Sequence, residues 1–383
     1  MKTKVTVYSK KTIAIIPPDG EFAEQDFAIN RISRYLQELG INITLLCTKN
    51  NQINSLYIDN IKIFESKIEI IDYLKNHTFN LILSRSWMHR YEFAALLTQE
   101  FNNVVSYIKD WHDYPLEYYK FIFNTDEDIQ AMESIFKNSQ IILSHYTKEY
   151  TDKLSKKYKT NKKKNLFFPE YTNEGNFYKK KKIEYDIKTI KILAAGGVPS
   201  TSFPDIIIPG KAYFDNIQKV LQNNIHIDII IVEKYYNKIF NNKNLYQDYL
   251  FENEFNTLFC IKKGENLNSQ IGEEYQFGMF FLGTELSDNS YYIQAESFAV
   301  TSKLAFYMEA GLPILVNKRF KSISKIVEEN GIGLILDDKD LENLYIFLDI
   351  GTKKYNKLIK NVYKFREKFS YNNKTMKQIL ELL

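Results

Sequence analysis

Three residues at the front of one segment have the chemistry to hold a diphosphate. In VTSKLAFYMEAGLPILV (Val300–Val316), Thr301 and Ser302 carry hydroxyls that can cap the first free N–H groups of a helix, and Lys303 puts a cation in its first turn. A cation there opposes the helix dipole, so it calls for an anionic partner or for solvent. Backbone amides at a helix start bind phosphate readily, and an ammonium group beside them strengthens the site. Read alone, the segment also fits an ordinary α/β unit with a solvated lysine. A second group, in YIKDWHDYP, offers proton transfer. Asp110, His112 and Asp113 cluster there, and a carboxylate beside an imidazole raises its basicity and fixes its tautomer. The plainer reading is that an aspartate caps a helix while His112 packs beside Trp111. Glu21, next to Gly20, is a further candidate, as is His89 in SRSWMHRYE, with Arg85 and Arg90 as anion contacts.

These residues need a scaffold. Leu304, Ala305, Tyr307 and Met308 recur at helical spacing, Gly311 suits the left-handed position after a helix, and Pro313 stops its continuation. Ile314–Val316 then reads as a buried parallel strand. Upstream, the chain alternates strands and helices. Strands are expected at Thr12–Ile16, Ile41–Leu46, Ile61–Phe64, Asn80–Leu83, Val104–Ile108, Ile141–Leu143 and Asn165–Phe168, with helices from about Phe22 to Leu39, near Ile68–Leu74 and near Phe93–Glu100. This order predicts a parallel sheet with right-handed crossovers. A second alternation begins at Ile190–Leu193, which runs into Ala194-Ala195-Gly196-Gly197. It continues through a helix at Ala212–Gln222, strands at Ile227–Val232, Leu258–Ile261 and Phe277–Leu282, a helix at Ser322–Glu329 and a strand at Leu334–Leu336. The expected fold is therefore α/β, with two doubly wound Rossmann-like domains facing a cleft. The boundaries are residues 1–175, a lysine-rich linker at 176–188, residues 189–352, and a helical segment at 353–383.

Composition agrees with two globular cores. The 383 residues are 44% hydrophobic and 15% aromatic, enough material for two domains and too much for disorder. The 51 basic and 47 acidic residues leave a net charge of +4, so no nucleic-acid partner is expected. Two lysine clusters, Lys156–Lys164 and Lys179–Lys182, read as solvated surface and linker, or as a patch that attracts anionic lipid. Cys47 and Cys260 end apolar runs in different halves and read as buried thiols in a reducing compartment. No apolar run is long enough to span a bilayer, and the N-terminal lysines precede a first strand better than a signal peptide. The expected location is the cytoplasm, with room for contact at the inner membrane face.

The order of motifs in the second half resembles the GT-B glycosyltransferases, family 4-like ones especially. SKLAFYMEAGLPILV is similar to their segment with Ser-Lys-Leu, an aromatic residue, Gly and Pro before a strand. KILAAGGV resembles the first strand and glycine turn of their C-terminal domain, and IVEENGIGLILDD the helix and Gly-x-Gly that follow. The likeness covers about 190–338, whereas over 1–170 it is architectural, with YIKDWHDYP similar to an acceptor-side His-Asp segment. This resemblance implies transfer of a sugar from a nucleotide-diphosphate sugar to a hydroxyl acceptor on a surface glycan, lipid-linked glycan or glycoprotein, with no obligatory metal and no other cofactor. It implies an N-terminal acceptor domain, a C-terminal donor domain, and a last helix that packs back on the N-terminal domain. Gly196, Gly197, Lys211, Thr301, Ser302 and Lys303 become donor-binding candidates, with Tyr291 and Tyr292 able to stack on a base or sugar. Asp113, His112, Asp110 and Glu21 become the catalytic candidates. Two family glutamates fall at Phe298 and Phe306 here; Glu296 is placed to replace the first, and Glu309 stands where a small residue is usual and reads as exposed. A nucleotide-sugar epimerase or hydrolase of similar build, or a non-catalytic GT-B-like scaffold subunit, fits the same sequence, and the stereochemical outcome stays open.

Overall fold

β-Branched and leucine-rich runs, fully buried in central strands such as Leu81–Ser86 and Val104–Ile108, build two separate parallel sheets. The computed structural model describes residues 8, 10–22, 27–50, 57–86, 91–108, 126–157, 159–160, 164–179, 185–201, 210–264, 269–280 and 297–383. The chain divides into two compact units, 1–171 with 371–383, and 172–370.

In the first unit the strands are β1 (Thr12–Ile16), β2 (Glu21–Phe22), β3 (Asn42–Cys47), β4 (Lys49–Asn50), β5 (Asn60–Ile63), β6 (Leu81–Ser86), β7 (Val104–Ile108), β8 (Ile141–Ser144) and β9 (Asn165–Phe167). The main sheet runs β5-β3-β1-β6-β7-β8-β9, and its strands pair in parallel throughout. The chain works outward from β1 to β5, then returns to β6, so the order reverses between β1 and β6. Helices α1 (Phe27–Glu38), α2 (Lys67–Asn76), α3 (Glu92–Glu100), α4 (Asp126–Asn138) and α5 (Lys148–Lys157) make the crossovers. Phe22, expected to begin a helix, lies instead in β2, paired with β4. The end of the chain belongs to this unit. Tyr371 stacks on Tyr35 with ring centroids 5.6 Å apart, and Lys11 Nζ donates to the carbonyl of Leu383.

The second unit holds β10 (Lys191–Ala195), β11 (His226–Val232), β12 (Phe259–Gly264), β13 (Phe277–Phe280), β14 (Ile314–Asn317) and β15 (Gly333–Leu336), in the order β12-β11-β10-β13-β14-β15. All pairings are again parallel. The order reverses between β10 and β13. Its helices are α6 (Gly210–Gln222), α7 (Glu233–Asn241), α8 (Gln247–Phe255), α9 (Ser302–Glu309), α10 (Lys321–Asn330), α11 (Leu344–Leu348) and α12 (Gly351–Lys368); α13 (Lys374–Leu380) returns to the first unit. One face of the sheet packs Ile192, Ala194, Ile227, Ile229 and Ile231 into a continuous core with α6 and α12.

Glu309 corrects the expectation of an exposed side chain. It is buried, its carboxylate accepting from Asn173 N at 2.6 Å and Asn176 Nδ2 at 3.2 Å. Its carbonyl accepts from Tyr178 N at 2.9 Å and from Arg366 Nη1 at 3.3 Å. A small residue at this place would keep the carbonyl but lack the carboxylate that Asn173 N and Asn176 Nδ2 donate to, so the glutamate side chain adds a tie between residues 173–176 and α9. Cys47 and Cys260 are both free thiols.

Candidate functional site at the second switch point

The point where an open α/β sheet reverses its strand order leaves a crevice at the carboxyl ends of the strands, where ligands bind. In the second unit that point is marked by one tyrosine. The hydroxyl of Tyr307, on α9, accepts from Ala195 N at the end of β10 at 2.8 Å and donates to Met279 O of β13 at 2.9 Å. Its ring lies so close to β13 that a Cβ on Gly278 would come within 2.4 Å of it, so only glycine fits there. Burial pushes the Tyr307 phenol far above its ordinary range, so it stays a neutral donor. Tyr307 thus fixes α9 against the two strands on either side of the reversal.

That placement brings Lys303 over the glycine turn. Gly196 follows β10 with φ +101°, a conformation that side chains rarely adopt, and its N–H donates to Ile230 O at 3.0 Å. A methyl group on Gly196 would lie 2.9 Å from Lys303 Cε and 3.6 Å from Nζ. Gly197 is exposed, with no neighbour within 4 Å of an added Cβ, so the described residues leave open space above it. Thr301 holds the N-cap position of α9, but its side chain makes no capping bond, contrary to expectation. Its Oγ1 is buried and lacks a hydrogen-bond partner among the described residues. The Thr301 side chain therefore does not occupy the first-turn amides, of which Leu304 N donates to Thr301 O at 3.1 Å. Ser302 and Lys303 are half-buried in that turn. Lys211 is exposed in the first turn of α6, the helix that follows β10.

Phe306 occupies the place of an expected glutamate on α9 and is buried against Tyr307, with ring centroids 5.7 Å apart. It packs; it cannot bind a sugar hydroxyl as a carboxylate would. Phe298 is half-buried. Tyr291, Tyr292 and Glu296 lie outside the described residues.

In the first unit, Asp110, His112 and Asp113 follow β7 and lie outside the described residues, as do His89 and Arg90. Glu21 is half-buried in β2, one residue past the turn after β1, in register with Lys49. Arg85 is not an open anion contact: it is buried, its guanidinium 4.0 Å from the Tyr107 ring centroid.

The sequence reading did not single out Asp128, the third residue of α4, the helix that follows the 109–125 segment. Burial, then the nearby Glu92, Glu127 and Asp19 carboxylates, pushes its carboxyl up to about 7. Such a group exchanges a proton near neutrality, which is the property of an acid or base. Because its folded value lies above its unfolded one, near 3.9, the native state loses stability as pH rises from about 4 to about 7. Asp128→Asn is therefore expected to raise the melting midpoint at pH 8 and to leave it nearly unchanged at pH 4. The displacement caps the gain at roughly 4 kcal/mol, and local relaxation should bring it to about 1–2 kcal/mol. Equal gains at both pH values would show that charge is not the cause.

Residues 234–382 match the C-terminal domain of glucosyltransferase 3-like proteins. No curated protein matches the sequence. Among solved structures, the chain is similar to Anabaena HepE in complex with UDP and glucose, at 10% identity and TM-score 0.65, over 97% of this chain and 100% of that one. It is also similar to the N-terminal domain of Candida albicans trehalose-6-phosphate phosphatase, at 9% identity and TM-score 0.63, over 100% and 99% of the two chains. Phytolacca americana UGT2, complexed with UDP-2-fluoro-glucose and pterostilbene, aligns at 6% identity and TM-score 0.54 over 97% and 98%. At these identities the likeness concerns the fold: two Rossmann-like units arranged in sequence as in the GT-B glycosyltransferases.

Proposed function

We propose that this protein is a glycosyltransferase that moves a sugar from a nucleotide-diphosphate sugar to a hydroxyl acceptor. The observation that carries the reading is Lys303, in the first turn of α9, lying over Gly196 at the β10/β13 reversal. When the sugar–phosphate bond breaks, positive charge develops on the sugar and negative charge on the departing diphosphate. The first-turn amides of α9 and the Lys303 ammonium supply fixed positive charge for that diphosphate. For this reason the proposal includes no obligatory divalent metal and no other cofactor. Gly196 and Gly197 let backbone approach the phosphates, Thr301 and Ser302 offer hydroxyls, and Lys211 adds a cation from α6. Tyr291 and Glu296 would meet the base, ribose or sugar.

On the acceptor side the proposed base is Asp113 or His112, with Asp110 and Glu21 in support, and Asp128 joins them as a group that titrates near neutrality. The family-4 likeness of the motifs, the match of residues 234–382 to a glucosyltransferase-like domain and the UDP ligands of the structural neighbours support a hexosyl donor carried on UDP. The acceptor is a glycan, a lipid-linked glycan or a glycoprotein, and the proposed location is cytoplasmic. No helix among the described residues is long and apolar enough to cross a membrane.

Lys303→Ala is expected to weaken UDP binding about tenfold, the scale of one charge-assisted hydrogen bond, while leaving the melting midpoint of the unliganded protein within a degree or two. Calorimetry with UDP checks this. Unchanged affinity would remove Lys303, and with it this reading of α9. Phe298 and Phe306 in the glutamate places favour a second reading, donor binding without transfer. In that case UDP would stabilise the protein, yet no product would form with any hydroxyl acceptor.

A further inference from the structure

The solvent side of α12 is a line of lysines. Lys353, Lys357, Lys360, Lys364 and Lys368 are all exposed. At 3.6 residues per turn they fall within about 80° of arc, along about 22 Å of helix. The opposite side is anchored by Tyr355, Leu358, Ile359, Val362 and Phe365, all buried. None of the five lysines has an ion-pair or hydrogen-bond partner among the described residues. Glu367 is the one carboxylate within α12, and exposed Asp349 lies just ahead of the helix. Like charges three and four residues apart repel one another, and here no internal carboxylate chain relieves them. An outside anionic surface would.

The kind of surface follows from the residue types. The stripe contains no arginine. The helix's own arginine, Arg366, is turned inward, where Nη1 donates to Tyr178 O at 2.6 Å. Specific recognition of a phosphate or carboxylate favours the guanidinium fork, whereas lysines are point charges suited to a diffuse anionic layer. A straight row of ammonium groups also meets a plane at every position at once. Directly ahead of α12, α11 leaves Tyr345 38% and Ile346 74% exposed. A basic helix face together with apolar side chains is the two-part signature of a peripheral membrane contact. Single-stranded nucleic acid would call for aromatic rings accessible between the cations, but Tyr355 and Phe365 are buried.

We propose that α12 docks this protein on an anionic phospholipid bilayer, with the five lysines on the headgroups and Ile346 in the interface. The proposal stands apart from the catalytic reading, because vesicle binding is measured without donor or acceptor.

The test is co-sedimentation of the full chain with vesicles of phosphatidylcholine alone, or containing about 30% phosphatidylglycerol, in about 0.1 M salt. Wild type is expected to bind only the acidic vesicles and to be released by about 0.5 M salt. Glutamine at all five positions should lower partitioning at least about tenfold, arginine at all five should preserve it, and Ile346→Ser should weaken it several-fold. All six positions are exposed, so each variant should keep the wild-type melting curve, which is checked first. Failure of wild type to bind acidic vesicles would overturn the proposal. So would wild-type binding by the glutamine variant, or binding to heparin or RNA without binding to the vesicles.

Discussion

Asp228→Ala is expected to lower stability by about 3 kcal/mol at pH 7, the low end of the cost of removing one partner from a buried ion pair. Asp228 lies in β11 with no exposed surface. Its carboxylate accepts from His226 Nε2 at 2.8 Å and Tyr275 Oη at 2.7 Å, and faces Lys262 Nζ at 2.7 Å. Burial alone would raise its pKa, but the bonds from His226, Lys262 and Tyr275 outweigh burial and hold it below the usual carboxylate range. Lys262 is displaced the other way: burial lowers it, and Asp228 and Tyr275 more than offset that. The Lys262 side chain is 38% exposed and can turn to water when Asp228 is gone, whereas Tyr275 is buried and would lose its acceptor. That difference places the expected cost at the low end of the range.

The pH dependence follows from the two directions. A depressed carboxylate stabilises the native state above its unfolded pKa, near 3.9, and that contribution is lost as pH falls through the folded value. A raised lysine stabilises below its unfolded pKa, near 10.4, and that contribution is lost as pH climbs through the folded one. The gap between wild type and variant should therefore be widest between about pH 5 and 9 and narrow at both ends. Denaturant unfolding across pH checks this. A gap that does not change with pH would mean that the packing of residue 228, not its charge, carries the effect. Because the cluster sits at the start of β11, away from the glycine turn, UDP affinity of the folded variant should be unchanged.

Asp228 also shows where sequence reading ran short. HIDIIIV was legible as a buried strand from its β-branched run, and the register that sets Asp228 beside Cys260 is a consequence of pairing with β12. The partners Lys262 and Tyr275 lie 34 and 47 residues further on, and no local pattern announces them. Strands were read almost to the residue at Thr12–Ile16 and Val104–Ile108, where apolar runs are bounded by polar residues. Helices α7 and α8 were not read. Asn241-Asn242-Lys243-Asn244 looks like loop, and Phe251 and Phe255 of α8 point to solvent, 59% and 65% exposed, which blurs the helical stripe. In the candidate site, Lys303 was legible because a cation in a first turn is anomalous on its own. Its contact with Gly196 was not, since it depends on Tyr307 reaching across two strands. Glu309 was misjudged for the same reason: its partners sit some 130 residues earlier.

Gly196→Ala is expected to lower kcat/KM about a hundredfold, mostly through donor binding, while costing only about 1–2 kcal/mol in stability. Two separate effects converge on one position. The φ of +101° is unfavourable for any side chain, so the turn after β10 must either hold the strain or rotate and re-aim its amides. The added methyl would also lie 2.9 Å from Lys303 Cε, and the far end of a lysine yields more easily than backbone does. The protein therefore accommodates alanine by moving the ammonium away from the turn, which costs little in folding and much at the diphosphate. Losing one ammonium contact and one amide contact, each worth about a factor of ten, gives the hundredfold figure. Lys303→Ala alone should remove only the first of these. In the double variant the loss should fall well short of the sum of the two single losses, because the methyl then has no lysine left to displace. Strictly additive losses would show that Gly196 and Lys303 act on the donor independently. An alanine variant with wild-type affinity for UDP would remove the glycine turn from the site.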